Sequence, residues 1–329
     1  MMLCLAETRS GGGVRAVVVI GLGLVGSALA AALRQRMSVS SELLLPLQWL
    51  DEATLRGDIQ SAEGRLLALL PDGTGETCLK IAYCAGTAGF AATTAQTAAE
   101  FHTFQSVLRM AERIGERRPG IGLVMHMLSS AGGLFEGQVR VTGATQPSPR
   151  RAYGHLKLSQ EQELWAASAR LRKHAHRLTS VYGPIHGQQR RGLVATLIQN
   201  GIRHHLTQIV GRSTTLRDFV WVEDVASFLA DTMLCDREAL LPRATVLASG
   251  KPSSIMEIVR IVERVIRKPV YVNFPKNQTN SLDTTFAPDL CPQGWVPSDL
   301  QTNISRIYLN CLAFQTDHAA SPLCRPRND

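Results

Sequence analysis

The seven cysteines of this 329-residue chain, at positions 4, 78, 84, 235, 291, 311 and 324, have no metal-ligand spacing, which excludes a zinc module. Their scatter and odd number fit a reducing compartment, so a cytoplasmic protein is expected. Aromatic residues make up only 5%, and the basic residues behind the formal net charge of +8 are dispersed. With no stacking platform among them, nucleic acid is not an expected partner. Long apolar runs are also scarce. Ala16–Leu33 holds 18 residues without a charge, but three glycines interrupt it, its two halves differ in composition, and no second run of similar length follows. Membrane insertion is therefore not expected. The hydrophobic content of 45% is that of a folded globular chain long enough for a large core plus a lobe.

That single run carries a pattern. Val17-Val18-Val19-Ile20 leads into Gly21-Leu22-Gly23-Leu24-Val25-Gly26 and then an alanine-rich segment. A strand, a Gly-x-Gly-x-x-Gly turn and a helix N-terminus are the parts that receive a dinucleotide pyrophosphate. Gly21 permits the turn, Gly23 lets the backbone approach the phosphates, and Gly26 allows close helix packing. The next strand is read at Leu43–Trp49, and the first acids after it, Asp51 and Glu52, are candidates for the adenosine ribose. Their lateness, with Arg34 and Arg36 nearby, suits a 2′-phosphate equally well, so NAD and NADP stay open as cofactors.

A second pattern lies at Tyr153-Gly154-His155-Leu156-Lys157, 23 residues after Ser130. On a helix, side chains four positions apart share a face, so the lysine ammonium stands near the tyrosine phenol. Lowering a phenol from about 10 to about 7 takes roughly 4 kcal/mol, which a fixed ammonium and a cationic nicotinamide ring can supply together. The product is an acid/base group that works at neutral pH. Ser129 competes with Ser130 for the serine role. Strand alternation points the two to opposite faces, and the count back from Tyr153 favours Ser130. His174, His176 and the pair His204-His205 have no carboxylate or cysteine at ligand spacing. They are read as exposed helix or loop residues, and no metal is expected.

With these pieces assembled, the chain resembles an extended short-chain dehydrogenase/reductase of the NAD-dependent epimerase/dehydratase family. Ile81–Gly86 resembles the fourth strand, Val124–Gly133 the fifth strand with its catalytic serine, and Arg177–Pro184 the sixth strand with a trailing Tyr-Gly-Pro. Leu216–Ala226 resembles the Arg-Asp-Phe-Val segment, and Gly294-Trp295-Val296-Pro297 the Gly-Trp-x-Pro motif. The resemblance runs from about residue 14 to about residue 312.

The resemblance implies an α/β fold, a doubly wound parallel sheet (Rossmann) with a small C-terminal mixed substrate lobe. The dinucleotide-binding domain would span 14–183, completed by about 216–244. Residues 184–215 and 245–312 would form the substrate lobe; residues 1–13 and 313–329, which lack periodicity, read by themselves as flexible tails. It implies Ser130, Tyr153 and Lys157 as catalytic residues. Gly21, Gly23, Leu24, Val25, Gly26, Ala85, Gly86, Lys157 and Tyr182 would meet the cofactor, although Tyr182 and Trp221 also read as strand-end core residues. Ser180, Arg191 and Arg217 would meet a nucleotide-diphosphate sugar. A homodimer through the helix near 91–115 and the helix carrying Tyr153 is a further implication.

Departures from the family pattern are informative. Ile20 stands where the family opens its glycine turn, and no third strand is visible in the 55 residues between Gly26 and Ile81. Ala131-Gly132 replaces the Asp-Glu pair of 4,6-dehydratases, which disfavours that chemistry. An NAD(P)-dependent nucleotide-sugar epimerase acting at C4 is the first reading. A nucleotide-keto-sugar reductase and a non-catalytic cofactor-binding protein of the same fold are the alternatives. Bacterial surface-polysaccharide biosynthesis is the setting that the family suggests.

Overall fold

The computed structural model describes residues 1–49, 51–71, 76–184, 192–235, 241–275 and 281–319. In chain order the first half comprises β1 (Met2–Thr8), β2 (Val14–Ile20), α1 (Leu24–Arg36), β3 (Ser41–Leu45), α2 (Glu52–Leu69) and β4 (Cys78–Tyr83). It continues with α3 (Thr94–Arg117), β5 (Gly122–Ser130), α4 (Ala131–Leu134), α5 (Ala152–Ala166) and β6 (Arg172–Leu178). The second half contains β7 (Ser180–Tyr182), α6 (Leu193–Ile202), β8 (Thr207–Gln208), β9 (Leu216–Arg217), β10 (Phe219–Trp221) and α7 (Val222–Leu234). After these come β11 (Ala244–Leu247), β12 (Ser253–Ser254), α8 (Ile255–Ile266), β13 (Val272–Asn273) and α9 (Leu300–Ala319).

Seven strands form one sheet in the order β11–β6–β5–β4–β2–β1–β3. Every pairing is parallel except the two made by β1, which runs antiparallel to both β2 and β3. Helices cover both faces, so the central strands read as continuous apolar runs rather than alternating ones. Along β2, Ala16, Val18 and Ile20 face the cluster built with α2 and α3, while Val17 and Val19 face the cluster built with α1 and α7. This is the doubly wound α/β sheet expected from the sequence.

Several expectations need correction. Residues 1–13 are not a loose tail, because Met2, Leu3, Cys4 and Leu5 are all fully buried in β1. This strand fills the place beside β2 where no strand was visible in the sequence. It comes from the opposite direction along the chain, and its short apolar run has no period of its own. The Arg217–Ala226 return, which reads from the sequence as completing the main sheet, does not join it. Its β10 pairs with β7 in a separate two-stranded ribbon, and β11 takes the outer place beside β6. The strand read at Leu43–Trp49 is instead Ser41–Leu45 and stops before Pro46.

A third apolar cluster gathers Leu197 and Ile198 of α6, Val259 and Val262 of α8, and Ile304 and Ile307 of α9. The short pairs β12–β9 and β13–β8 brace this C-terminal lobe. Residues 313–319 continue α9 rather than beginning a tail. Among the described residues no helix is long and apolar enough to cross a membrane.

Candidate functional site

The glycine turn is formed as its residue types demand. Gly21 has φ +91°, and a Cβ there would stand 2.4 Å from the Ala85 Cα. A Cβ on Gly26 would stand 1.9 Å from the Gly21 carbonyl oxygen. Gly23 caps α1, the first turn of α1 carries no acid, and among the described residues nothing crowds Gly23 and no side chain caps the helix amides. An uncapped helix N-terminus behind a bare backbone is a receptor for an anion such as a pyrophosphate.

Two cavities meet above this turn. One, of about 570 Å³, is bordered by Gly23, Leu24, Val25, Ala85, Gly86 and Lys157. The second, of about 510 Å³, is bordered by Ser180, Tyr182, Gln208, Arg217, Phe219 and Ile255. Ser130, Tyr153 and Thr179 line both. The two cavities share part of their lining, and Tyr153 stands where they meet. Tyr182, expected at the cofactor, borders the second chamber only, where its ring packs against Phe219 and Trp221. Arg191 lies outside the described residues.

Local packing fixes Tyr153. It sits in the first turn of α5, and Gly133 and Gly154 let that turn lie directly on α4. A Cβ on Gly154 would stand 2.3 Å from the Gly133 oxygen, and one on Gly133 would stand 3.1 Å from the Tyr153 ring. Phe90 holds the other side of the ring, with centroids 5.7 Å apart. Lys157 Nζ lies 5.8 Å from the ring centroid, as the one-face argument requires.

The two serines separate by their partners. Ser129 Oγ donates to Glu161 Oε1 at 2.6 Å, and Glu161 is also held by Arg177 at 3.0 and 2.6 Å. Its hydroxyl proton is committed to that network. Ser130 Oγ accepts from the Gly133 amide at 3.0 Å, which leaves its own proton for a ligand oxygen. Cys84 also lines the cofactor chamber, but burial pushes its thiol up to about 12, so it is not a nucleophile.

In the second chamber, Arg217 donates from Nη1 to the carbonyls of Leu216 and Leu282, and burial lowers its pKa. A cation in a cavity wall is suited to an anionic group. Beside it, the buried Asp218 accepts four hydrogen bonds: from Thr179 Oγ1 at 2.9 Å, the Ser249 amide at 2.7 Å, Ser249 Oγ at 2.9 Å and the Gly250 amide at 2.9 Å. Burial raises its pKa against these bonds. Asp218 ties the ends of β6 and β11 together beneath the chamber.

Two residues central to this arrangement were not singled out by the sequence reading. Glu100 reaches Lys157 from α3, and Glu161 holds Ser129. Glu100 did leave a signal, since it falls on the stripe continued by Phe104, Val107, Ala111 and Ile114, where a charge is out of place. The histidine reading is corrected too. His174 and His176 are buried on β6 and stack with His126 of β5 at 5.4 and 5.3 Å. His176 Nδ1 meets Thr245 Oγ1 at 2.9 Å. Among the described residues no group of histidine, cysteine or acid could hold a metal.

The sequence matches the model of the NAD dependent epimerase/dehydratase family over residues 17–235. The chain belongs to this family. As a member, it takes a nicotinamide dinucleotide, NAD or NADP, and the glycine cradle and uncapped α1 fit that group. A comparison with curated proteins finds no match. Among solved structures, the chain is similar to the UDP-glucose 4-epimerase of Thermus thermophilus in complex with NAD. The identity is 18%, the match covers 90% of this chain and 99% of that one, and the TM-score is 0.70. The UDP-glucuronic acid 4-epimerase of Bacillus cereus, in complex with UDP-glucuronic acid and NAD, matches at 19% identity over 88% and 97% of the two chains, TM-score 0.68. TunA, a NAD dependent NDP-hexosamine 5,6-dehydratase, matches at 18% identity over 71% and 77%, TM-score 0.57. At these identities the likeness is one of fold.

Proposed function

We propose that this family member is a nucleotide-sugar epimerase that acts by reversible hydride transfer at a hexose carbon, C4 being the first choice. The observation that carries the reading is the junction of the two chambers at Ser130, Tyr153 and Lys157. The dinucleotide, when bound, supplies the site with a hydride acceptor. Tyr153 takes the proton of the sugar hydroxyl and returns it in the reverse step. The free hydroxyl proton of Ser130 holds the sugar oxygen as it gains carbonyl character. Lys157 orients the cofactor ribose and stabilises the phenolate. Arg217, with Ser180, faces the diphosphate at the far end of the second chamber.

Ala131 is fully buried and Gly132 carries no side chain. Neither can remove or donate a proton, which supports epimerase over 4,6-dehydratase chemistry. The test is to denature freshly purified protein, identify any released dinucleotide by mass spectrometry, and then follow UDP-hexose interconversion by nuclear magnetic resonance. Retained NAD with C4 interconversion is expected, because an epimerase regenerates its cofactor in each cycle. Empty protein that consumes NADPH with a keto-sugar would replace this reading with a reductase. Bound dinucleotide without turnover on any nucleotide sugar would replace it with a binding protein.

A further inference from the structure

The Lys157 ammonium does not stand alone. Its Nζ lies 3.3 Å from Glu100 Oε1 and donates to Gln160 Oε1 at 2.9 Å. The side chains of the ion pair are each only 6% exposed. The other carboxylate oxygen, Oε2, accepts the backbone amides of Thr87 and Ala88, both at 2.9 Å. The loop lies so close that a Cβ on Gly86 would stand 2.9 Å from Oε1. One buried carboxylate thus holds both the lysine and the loop that lines the cofactor chamber.

We propose that Glu100 is a positioning residue that locks Lys157 and the 86–88 loop into one unit and offsets part of the lysine's positive charge at the Tyr153 phenol. This rests on the assignment of Tyr153 and Lys157 made above. A carboxylate close behind the ammonium opposes the formation of a second negative charge on the phenol, whereas an ammonium alone favours it. The other charged groups near the phenol are already paired with partners other than Lys157 and Glu100. Arg151, at the start of α5, is bound to Glu136 at 2.7 Å, and the network of Ser129 on β5, Glu161 on α5 and Arg177 on β6 closes on itself. From β4, the Cys84 thiol and the Tyr83 phenol are both pushed up by burial, the Glu100 charge adding to the effect on Tyr83. His155 of α5 is exposed, and Arg217 lines the far chamber. Among these groups, Glu100 is the acid placed to act on the Lys157–Tyr153 pair.

The experiment follows the ultraviolet absorption of tyrosinate against pH, with the spectrum of the Tyr153→Phe variant subtracted so that one phenol is read. In Glu100→Gln the phenol is expected to ionise about one unit lower than in the parent protein. The same direction is expected when Lys157→Met is compared with Lys157→Met/Glu100→Gln, where no ammonium can change its own charge. That second pair also carries the test if the single Gln variant fails to fold. An unmoved or raised phenol in the Lys157→Met pair overturns the electrostatic role. For the loop, fluorescence titration with NADH should show Glu100→Ala binding about tenfold more weakly, through loss of two amide hydrogen bonds to a charged group. Glu100→Gln, which keeps an acceptor, should stay within about twofold. Equal affinity in the Ala variant overturns the clamp. A phenol that moves as stated while Tyr153→Phe keeps full turnover would leave this coupling standing and remove the catalytic reading instead.

Discussion

From β4 to β11 the sheet is parallel throughout, and each strand end delivers a side chain or loop to the groove: Ala85 and Gly86 after β4, Ser130 at the end of β5, Thr179 after β6. Across β2 the construction changes. The neighbouring strand runs antiparallel, so its start, not its end, lies beside the glycine turn, and the Gly21 amide donates to the Met1 carbonyl at 3.0 Å. β3, whose following acids were candidates for the adenosine ribose, is displaced one strand outward. At about 4.8 Å per strand, that displacement is larger than a hydrogen bond. Asp51 is also occupied as the N-cap of α2, accepting from the Thr54 amide at 2.8 Å. Arg34 is bound to Glu42, and Arg36 to Asp231. The half that lines the groove is specified by particular side chains at fixed spacings. The other half only has to supply a sheet edge and a bare turn, and a strand of either direction can do that.

The largest effect that would break this contrast comes from removing residues 1–8. Burying four apolar side chains stabilises by roughly 2 kcal/mol each, about 8 kcal/mol in all, against a typical total of about 5–15 kcal/mol. Loss of soluble, cooperatively melting protein is expected, and a variant that melts like the parent would return β1 to the status of a tail. Next in size, Tyr153→Phe should lower kcat by about 10²–10⁴ with an unchanged melting curve. Ser130→Ala should lower kcat more than Ser129→Ala, and the latter should show mainly in stability.

A smaller effect is expected from pH. Burial and the neighbouring histidines hold the His176 imidazole well below its ordinary value of 6.5, so it is neutral in the folded chain. The unfolded chain takes up the proton below pH 6.5, so stability present above that pH is lost as the pH falls. The loss is about 1.4 kcal/mol per unit below 6.5 for this group. Thermal melts between pH 7 and pH 5 check it, and His176→Gln should flatten the dependence. The smallest effect is that of Asp51→Ala. It should lower the melting temperature slightly through the lost cap and leave NAD affinity within about twofold. A large loss of affinity there would restore Asp51 to the ribose.

These differences also explain what could be read from the chain alone. The glycine turn and the placing of Tyr153 and Lys157 on one helix face were legible because each depends on local spacing, and one strand's alternation already separated Ser129 from Ser130. β1 was not, because a short apolar run without alternation looks the same as an unstructured start, although Ser10-Gly11-Gly12-Gly13 did mark the turn that joins it to β2. The histidines of β6 were misread for a related reason. Their burial comes from β5 and β11 on either side, and nothing within Arg172–Leu178 marks it. Glu100 lay in plain sight as a charge on an apolar stripe, but its partner is 57 residues away.

The β1–β2 hairpin also sets an order of events during synthesis. Its two strands are joined by only Arg9–Gly13, so they can pair as soon as both have left the ribosome. The inner edge of β2 must then wait for β4, nearly sixty residues later, and the outer edge of β1 for β3. In that interval the nascent chain presents two unpaired, apolar strand edges, the state most open to pairing with another copy. For this protein the period of greatest aggregation risk comes early in translation, before β4 and the strands beyond it exist.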